Sequence, residues 1–182
     1  MKSTSPSTGK GDDGYTSLAN GLRVSKGHPV IRAMGALDLL CAELGMLKAM
    51  FAERKHSDTC EYAAVPVLEE LQNDVLAISG RFAGFETSRE AWDTMANRVS
   101  QHLEHAGRLV TTPVGFSLPG RSVLSAQADR ARAQCRCAEQ AATALYHNEM
   151  DEGILQAREP GSIPLVFLNR LADYLYLLSM NV

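Results

Sequence analysis

Apolar residues recur every three or four positions through most of this chain. The clearest stripe begins after Pro29 and continues to about Glu53. Its members are Val30, Met34, Leu37, Leu40, Cys41, Leu44 and Leu47. In an α-helix this spacing places the side chains on one face, so the stripe predicts an amphipathic helix with one buried side. Proline suits the first turn of such a helix, because the N–H that it lacks would have no intrahelical acceptor there.

Four more segments have the same periodicity. The predicted helices run from near Pro66 to near Gly84, from Thr87 or Ser88 through Leu103, from Ser122 to about Met150, and from Leu165 to Met180. The stretches 107–120 and 151–164 contain the glycines and prolines that break helices. No segment predicts a strand. The fold class that follows is all-α, a five-helix bundle preceded by an N-terminal Gly/Thr-rich arm.

Composition and charge limit the class of protein. The chain has 182 residues, 45% of them hydrophobic, which suits one domain with a substantial core. Its formal net charge of -3 argues against a general nucleic-acid binder, since such proteins have a basic excess. No apolar run reaches membrane-spanning length, and residues 1–21 lack the apolar stretch of a secretory signal. We therefore expect a cytoplasmic protein that binds neither nucleic acid nor membrane.

Cysteine and histidine spacing does not predict a metal site. Cys135 and Cys137 are two positions apart and would point in different directions on a helix. His102 and His105 are three apart and could share a helix face, but we interpret them as solvated residues of a helix end. We expect the thiols to be reduced, in the core or at the surface.

A polar segment, residues 7–17, precedes the first helix and combines glycine, hydroxyl groups and charge. Glycines let successive backbone N–H groups turn toward one anion, and hydroxyl groups add donors, so this segment could wrap a polyphosphate. The Walker A spacing is missing, however, and so is the strand that precedes it. From these residues alone, a mobile tail rich in turn formers is the better interpretation.

Charged residues share one face of the fourth predicted helix. Arg132 and Arg136 are four positions apart, and Glu139 follows three positions later. Two arginines beside an alanine-rich stripe need anions. From these residues alone, a solvated ladder that includes Glu139 is favoured over a ligand site.

Four blocks of the chain match a family pattern in order. They are Thr8 to Gly45, Leu68 to Asp74, Phe116 to Gly120 followed by Arg132, Arg136 and Glu139, and Phe167 to Asp173. Together they span nearly the whole chain. By these blocks the chain resembles the PduO-type ATP:cob(I)alamin adenosyltransferases.

The resemblance implies a fold, an assembly and a reaction. It implies an N-terminal nucleotide-binding arm, residues 1–28, and a single helical-bundle adenosyltransferase domain, residues 29–182. Family members form homotrimers that bind the nucleotide between neighbouring subunits. The implied reaction transfers the 5′-deoxyadenosyl group of ATP to cob(I)alamin and gives adenosylcobalamin and triphosphate. The implied requirements are ATP, cobalamin, Mg²⁺ and an electron donor for the cobalt.

The resemblance also assigns roles to residues. The ATP-binding positions are Thr8, Gly9, Lys10, Gly11, Thr16, Ser17, Lys26, Arg136 and Glu139. Arg132 matches an arginine that forms an intersubunit salt bridge with the aspartate matched by Asp38. Phe116 matches the aromatic residue that occupies the lower face of the corrinoid. By filling that space, the ring of Phe116 would keep the lower axial ligand off the cobalt and ease its reduction to Co(I).

Some positions depart from the family pattern. They are Arg32 for an acidic residue, Cys41 for an asparagine, Asp129 for a histidine, Cys137 for an arginine, and Gly161 or Ser162 for an asparagine. These departures leave an alternative open, a catalytically weak or inactive trimeric paralogue that binds ATP or corrinoid without turnover. An ion pair between Arg32 and a nearby glutamate would favour the enzyme.

Overall fold

A computed structural model describes residue 9 and residues 11–53, 64–110, 115, 117–147 and 163–182. Within these ranges the helices are α1 (Pro29–Glu53), α2 (Ala64–Phe82), α3 (Arg89–Leu109), α4 (Val123–His147) and α5 (Ile163–Asn181). The all-α, five-helix class is therefore confirmed. Among the described helices, none is both long enough and apolar enough to cross a membrane.

The helices pack around a core to which α4 contributes small side chains. Helix α1 packs against α2 and α4, and α5 packs against α4 and α3. The fully buried residues of α1 and α5 include Leu37, Leu40, Leu44, Leu47, Phe167, Leu168, Leu171 and Leu175. Those of α4 are Leu145 and the small residues Ala128, Ala131, Cys135, Ala138 and Ala142. Small side chains let neighbouring backbones approach closely, so α4 can lie between α1 and α5.

Two glutamine side chains of α4 show how α4 lies against α1. Gln134 Nε2 donates to the Ala36 carbonyl at 3.1 Å, and Gln127 Nε2 donates to the Glu43 carbonyl at 3.1 Å. Residue numbers rise along α1 as they fall along α4, so the two helices are antiparallel. Asp38 of α1 therefore lies at about the level of Arg132 of α4.

A β-hairpin precedes the bundle, and the prediction that the chain has no strand is wrong. Strand β1 (Tyr15–Ser17) pairs antiparallel with β2 (Arg23–Ser25), with Thr16 opposite Val24. Each strand has only three residues. Strands this short are below the length at which apolar alternation becomes recognisable, which explains the missed prediction.

The hairpin is anchored to the C-terminal end of α2. Leu18 and Val24 are buried in the core, and the Ala19 N–H donates to the Ala83 carbonyl at 2.8 Å. Gly84 has a φ of 98°, and a Cβ at that position would lie 3.0 Å from Cγ of Asn20. Only glycine accommodates this backbone angle without strain. The described part of the arm is therefore an ordered element and not a loose tail.

An ion pair and a histidine–carboxylate contact join α2 to α3, which otherwise contact each other little. Arg98 Nη1 lies 3.4 Å from Asp74 Oδ1, and His102 Nε2 lies 3.3 Å from Glu70 Oε2. The ring of His102 also lies 6.2 Å from that of Tyr174, centroid to centroid. His102 is thus partly buried between helices, and its interpretation as a solvated residue is wrong.

The buried Asp74 should make stability depend on pH. Burial raises the pKa of its carboxyl group, the nearby Arg98 and His102 lower it, and Glu70 raises it. A carboxyl group with a raised pKa in the folded state binds its proton more tightly there than in the unfolded chain. Its contribution to the free energy of unfolding is therefore fully present below the ordinary aspartate pKa of about 4, and is lost as pH rises through the raised value.

We expect the free energy of unfolding of the parent to exceed that of Asp74→Asn by less and less as pH rises from about 4 through the raised pKa of Asp74. Urea unfolding of both proteins at several pH values measures it. An Asp93→Asn variant, which changes an exposed carboxylate of α3, is the matched control. A constant difference between parent and Asp74→Asn across the range would contradict the prediction.

Candidate functional site

A cavity of about 620 Å³ opens between α4 and α5. Its polar lining includes Arg132, Arg136 and Glu139 of α4 and Asn169, Asp173 and Tyr176 of α5. The Cys135 thiol donates to the Leu168 carbonyl at 3.2 Å and joins the two helices behind the cavity. A cavity of this volume falls in the range of small-molecule sites. The structure thus brings the three residues predicted on α4 together in one concave site.

The two arginines of the cavity are not held by Glu139. Among the described residues, Arg136 has no ion-pair partner, and the ion pair of Arg132 is with Asp129, at 3.9 Å from Nε to Oδ1. The predicted ladder with Glu139 is therefore not formed within the described chain. Arg136 is exposed at the cavity, where its guanidinium can bind an anion.

The arm places a second cation beside glycine. A Cβ added to Gly11 would lie 2.9 Å from Nζ of Lys26. Backbone hydrogen bonds hold the two residues near each other, because the Lys26 N–H donates to the Gly14 carbonyl at 2.8 Å and the Gly14 N–H donates to the Gly11 carbonyl at 3.2 Å. Because Gly11 has no Cβ, the Lys26 ammonium can lie close to the backbone of this turn. A cation beside backbone N–H groups suits a phosphate, which is the chemistry predicted for this segment.

The other residues of the arm that were predicted to bind ATP have different surroundings. Thr16 is partly buried and Ser17 exposed on β1, while Gly9 is exposed with a φ of 67°. Thr8, Lys10 and Phe116 lie outside the described residues, so their predicted roles stay predictions.

Within one chain, the predicted residues form two separate groups. None of the described residues of the arm lines the α4–α5 cavity. Asp38 is exposed on α1, at about the level of Arg132, and no ion pair between these two residues occurs in the described chain. A ligand that contacts all of these residues would therefore have to touch surfaces that lie apart from each other within one chain.

The departures from the family pattern have different surroundings. Arg32 is exposed and has no ion pair with a described residue, so the compensating pair considered above is not found. Burial raises the pKa of the Cys41 thiol, and the Cys41 carbonyl accepts from Gln72 Nε2 at 3.0 Å. Cys137 is exposed on α4 beside Arg136. Neither thiol occupies the cavity lining.

Sequence reasoning missed the contribution of α5 to the cavity. Asn169, Asp173 and Tyr176 are spaced four and three positions apart, so they lie on one helical face. That polar spacing within an apolar helix was the available signal. Which neighbour this face meets depends on the packing of α5 against α4, which the spacing does not specify.

A Gly11→Ala variant should lower affinity for ATP, the ligand that the resemblance implies for the arm, without unfolding the protein. The new methyl group would displace the flexible Lys26 ammonium and leave the backbone in place. We expect the KM for ATP to rise about fivefold, the scale of one weakened contact to a charged group. Steady-state kinetics with a thermal melt of both proteins measures this. Gly27→Ala is the matched control, because a Cβ there meets only Ser25 Oγ at 3.6 Å; an equal rise in that control would contradict the prediction.

Comparison with known proteins gives one consistent result. The family model described as cobalamin adenosyltransferase matches residues 6–182. The corrinoid adenosyltransferase of Mycobacterium leprae is 30% identical over 187 residues, covering 94% of this chain and 87% of the relative. The corrinoid adenosyltransferase MMAB of Bos taurus is 28% identical, covering 94% and 68%. The corrinoid adenosyltransferase PduO of Salmonella typhimurium is 28% identical, and the match covers 94% of this chain but only 48% of that relative.

A solved structure has the same fold. A variant PduO-type ATP:corrinoid adenosyltransferase from Lactobacillus reuteri, complexed with cobalamin and ATP, matches with a TM-score of 0.77. The match covers 97% of this chain and 90% of that one, at 22% sequence identity. At this identity the likeness establishes the helical architecture.

Proposed function

Because this chain belongs to the cobalamin adenosyltransferase family, we propose that it transfers the 5′-deoxyadenosyl group of ATP to cob(I)alamin. The products are adenosylcobalamin and triphosphate. The observation that carries the proposal is the α4–α5 cavity, where Arg136 has no ion-pair partner among the described residues. An exposed guanidinium of this kind suits a polyphosphate, which it can bind through two parallel hydrogen bonds.

The protein's part in the reaction is positioning and charge stabilisation. Co(I) of the substrate attacks the 5′ carbon of ATP, and the bond from that carbon to oxygen breaks, so triphosphate leaves with the bonding electrons. Arg136 and Lys26 neutralise the departing triphosphate, and the turn at Gly11 admits its oxygens close to the backbone. Phe116 would exclude a lower ligand from the cobalt. The electron chemistry belongs to the corrinoid.

A homotrimer would complete the site. Within one chain, no described residue of the arm lines the cavity, and Asp38 forms no ion pair with Arg132 among the described residues. The exposed face of α1 also carries Leu39 and Met46, which are 48% and 57% exposed and seven positions apart. These two side chains supply apolar area on one helix face that association between subunits would bury. We therefore propose that the arm of one subunit covers the cavity of the next, and that Asp38 of the partner subunit pairs with Arg132.

Mg²⁺ would enter as part of the nucleotide substrate. The described residues contain no group of three or more histidine, cysteine, aspartate or glutamate side chains arranged around a metal ion. Mg²⁺ commonly keeps several waters and binds through one or two carboxylates together with substrate phosphates. Glu139 and Asp173, both at the cavity, can supply such carboxylates. We propose a separate cytoplasmic reductant as the electron donor for the cobalt.

The alternative is a trimeric paralogue that binds ATP or corrinoid with little or no turnover. The observation that favours it is Arg32, a basic residue in place of an acidic one, without an ion pair among the described residues. Cys41 and Cys137 also lack the hydrogen-bonding groups of the residues that they replace.

An anaerobic assay separates the two functions. Purified protein, ATP, Mg²⁺ and chemically reduced cobalamin are combined, and the visible spectrum is followed for formation of adenosylcobalamin. Product formation that requires both protein and ATP supports the enzyme. Folded protein that binds ATP by calorimetry but forms no product supports the paralogue.

A further inference from the structure

The guanidinium of Arg132 lies over an aromatic ring at the edge of the cavity. Its Cζ atom is 5.8 Å from the ring centroid of Tyr176, within the range of a cation–π interaction. Arg132 and Tyr176 come from different helices, α4 and α5, and both line the cavity. The side chain of Arg132 is only 30% exposed. Tyr176 therefore limits where this guanidinium can lie.

Asp129 contacts the same guanidinium only loosely. Its side chain is 9% exposed, and its Oδ1 lies 3.9 Å from Nε of Arg132. That separation exceeds a hydrogen bond. The Nε atom is itself buried and has no hydrogen-bond partner among the described residues. Arg132 is thus attracted by the carboxylate but does not form the bidentate pair that an arginine and a carboxylate usually prefer.

We propose that Tyr176 is a positioning residue that keeps Arg132 from closing onto Asp129. The ring attracts one face of the planar guanidinium, which leaves the terminal Nη N–H groups for an oxyanion at the cavity. Without the ring, the buried Asp129 carboxylate would draw Arg132 into a full ion pair and withdraw its donors. The attraction comes from the ring face, so the hydroxyl group of Tyr176 is not required.

The identity of the oxyanion rests on the proposed function. Two sources have the same chemistry, a phosphate of ATP and the carboxylate of Asp38 of the partner subunit. Loss of Tyr176 would raise the KM for ATP in the first case. In the second case it would weaken the assembly, and the fraction of trimer at a given protein concentration would fall.

The test compares Tyr176→Leu with Tyr176→Phe, each with and without Arg132→Ala. We expect Tyr176→Leu to change the KM for ATP, or the trimer dissociation constant measured by light scattering, about fivefold. Tyr176→Phe should stay within about twofold of the parent, because it retains the ring. In the Arg132→Ala background, Tyr176→Leu should have no further effect.

Two outcomes would overturn the inference. One is a Tyr176→Phe variant as impaired as Tyr176→Leu, and the other is an equal effect of Tyr176→Leu with and without Arg132. A readout independent of turnover is the Nε–H resonance of Arg132 in a nitrogen-15 NMR spectrum, assigned with Arg132→Lys. This resonance should shift in Tyr176→Leu and persist nearly unchanged in Tyr176→Phe. A parent without turnover would contradict the proposed function, while an unshifted resonance would contradict the role of Tyr176.

Discussion

An Arg136→Ala variant should bind ATP about 30-fold more weakly than the parent, a loss of about 2 kcal/mol. Arg136 lines the cavity, and no described carboxylate forms an ion pair with its guanidinium. Its hydrogen bonds to phosphate are charge-assisted, and these are the stronger class of protein hydrogen bond. Calorimetric titration with ATP in the presence of Mg²⁺ measures the change directly and needs no turnover.

Two further variants distinguish a direct contact between Arg136 and ATP from a general effect of positive charge on the helix. Arg136→Lys retains the charge but loses the planar pair of donors, so its affinity should fall between those of the parent and Arg136→Ala. Arg130→Ala removes a positive charge from the same helix at an exposed position outside the cavity, and it should bind ATP like the parent. Unchanged affinity in Arg136→Ala, or an equal loss in Arg130→Ala, would remove Arg136 from the site.

The helices could be predicted because their signals are local. The stripe that begins at Val30 is read from spacing alone, and the helix runs from Pro29 to Glu53 as predicted. The signal for the start of α3 is equally local, because the Ser88 hydroxyl caps the helix by accepting from the Ala91 N–H at 3.2 Å. Such patterns depend on residues within one or two turns of each other.

The hairpin could not be predicted in the same way. Its strands are held by distant residues, through burial of Leu18 and Val24 and the hydrogen bond from Ala19 to Ala83. Within residues 15–25 the local signal is Asn20-Gly21, a dipeptide typical of turns, and Gly21 has a φ of 85°. The three-residue strands on either side are too short to show apolar alternation. The same limit applies to the cavity, where spacing aligned Arg132 and Arg136 but gave no information about the α5 face opposite them. Long-range packing decides both features.

A buried carboxylate between α1 and α4 was also not predicted. Glu43 is only 6% exposed, although it lies among the apolar residues of α1. Its two oxygens accept from Gln127 Nε2 at 2.7 Å and from Arg130 Nη2 at 2.7 Å. Gln127 also donates to the Glu43 backbone carbonyl. These contacts join the helix that carries Asp38 to the helix that carries the cavity arginines.

A Glu43→Ala variant should therefore lower the free energy of unfolding by about 3 kcal/mol. The change leaves a cavity and removes one acceptor from the buried Gln127 amide, while the loss at the exposed Arg130 adds little. Urea unfolding followed by circular dichroism measures this. Arg130→Ala removes the exposed partner but leaves the buried Glu43 carboxylate without its counter-charge, so it should cost more than the roughly 1 kcal/mol of an exposed ion pair and less than Glu43→Ala.

Glu43→Gln tests whether the shape or the charge of this side chain matters. It fills the same volume and can still accept from Gln127, so most of the stability should return if the buried hydrogen bond is the main contribution. Equal losses in Glu43→Gln and Glu43→Ala would instead assign the effect to the charge. Because Glu43 is outside the cavity lining, folded Glu43→Gln should bind ATP like the parent, whereas Arg136→Ala should lose ATP affinity while keeping its stability. These opposite patterns would separate the residues that hold the bundle together from those that bind the nucleotide.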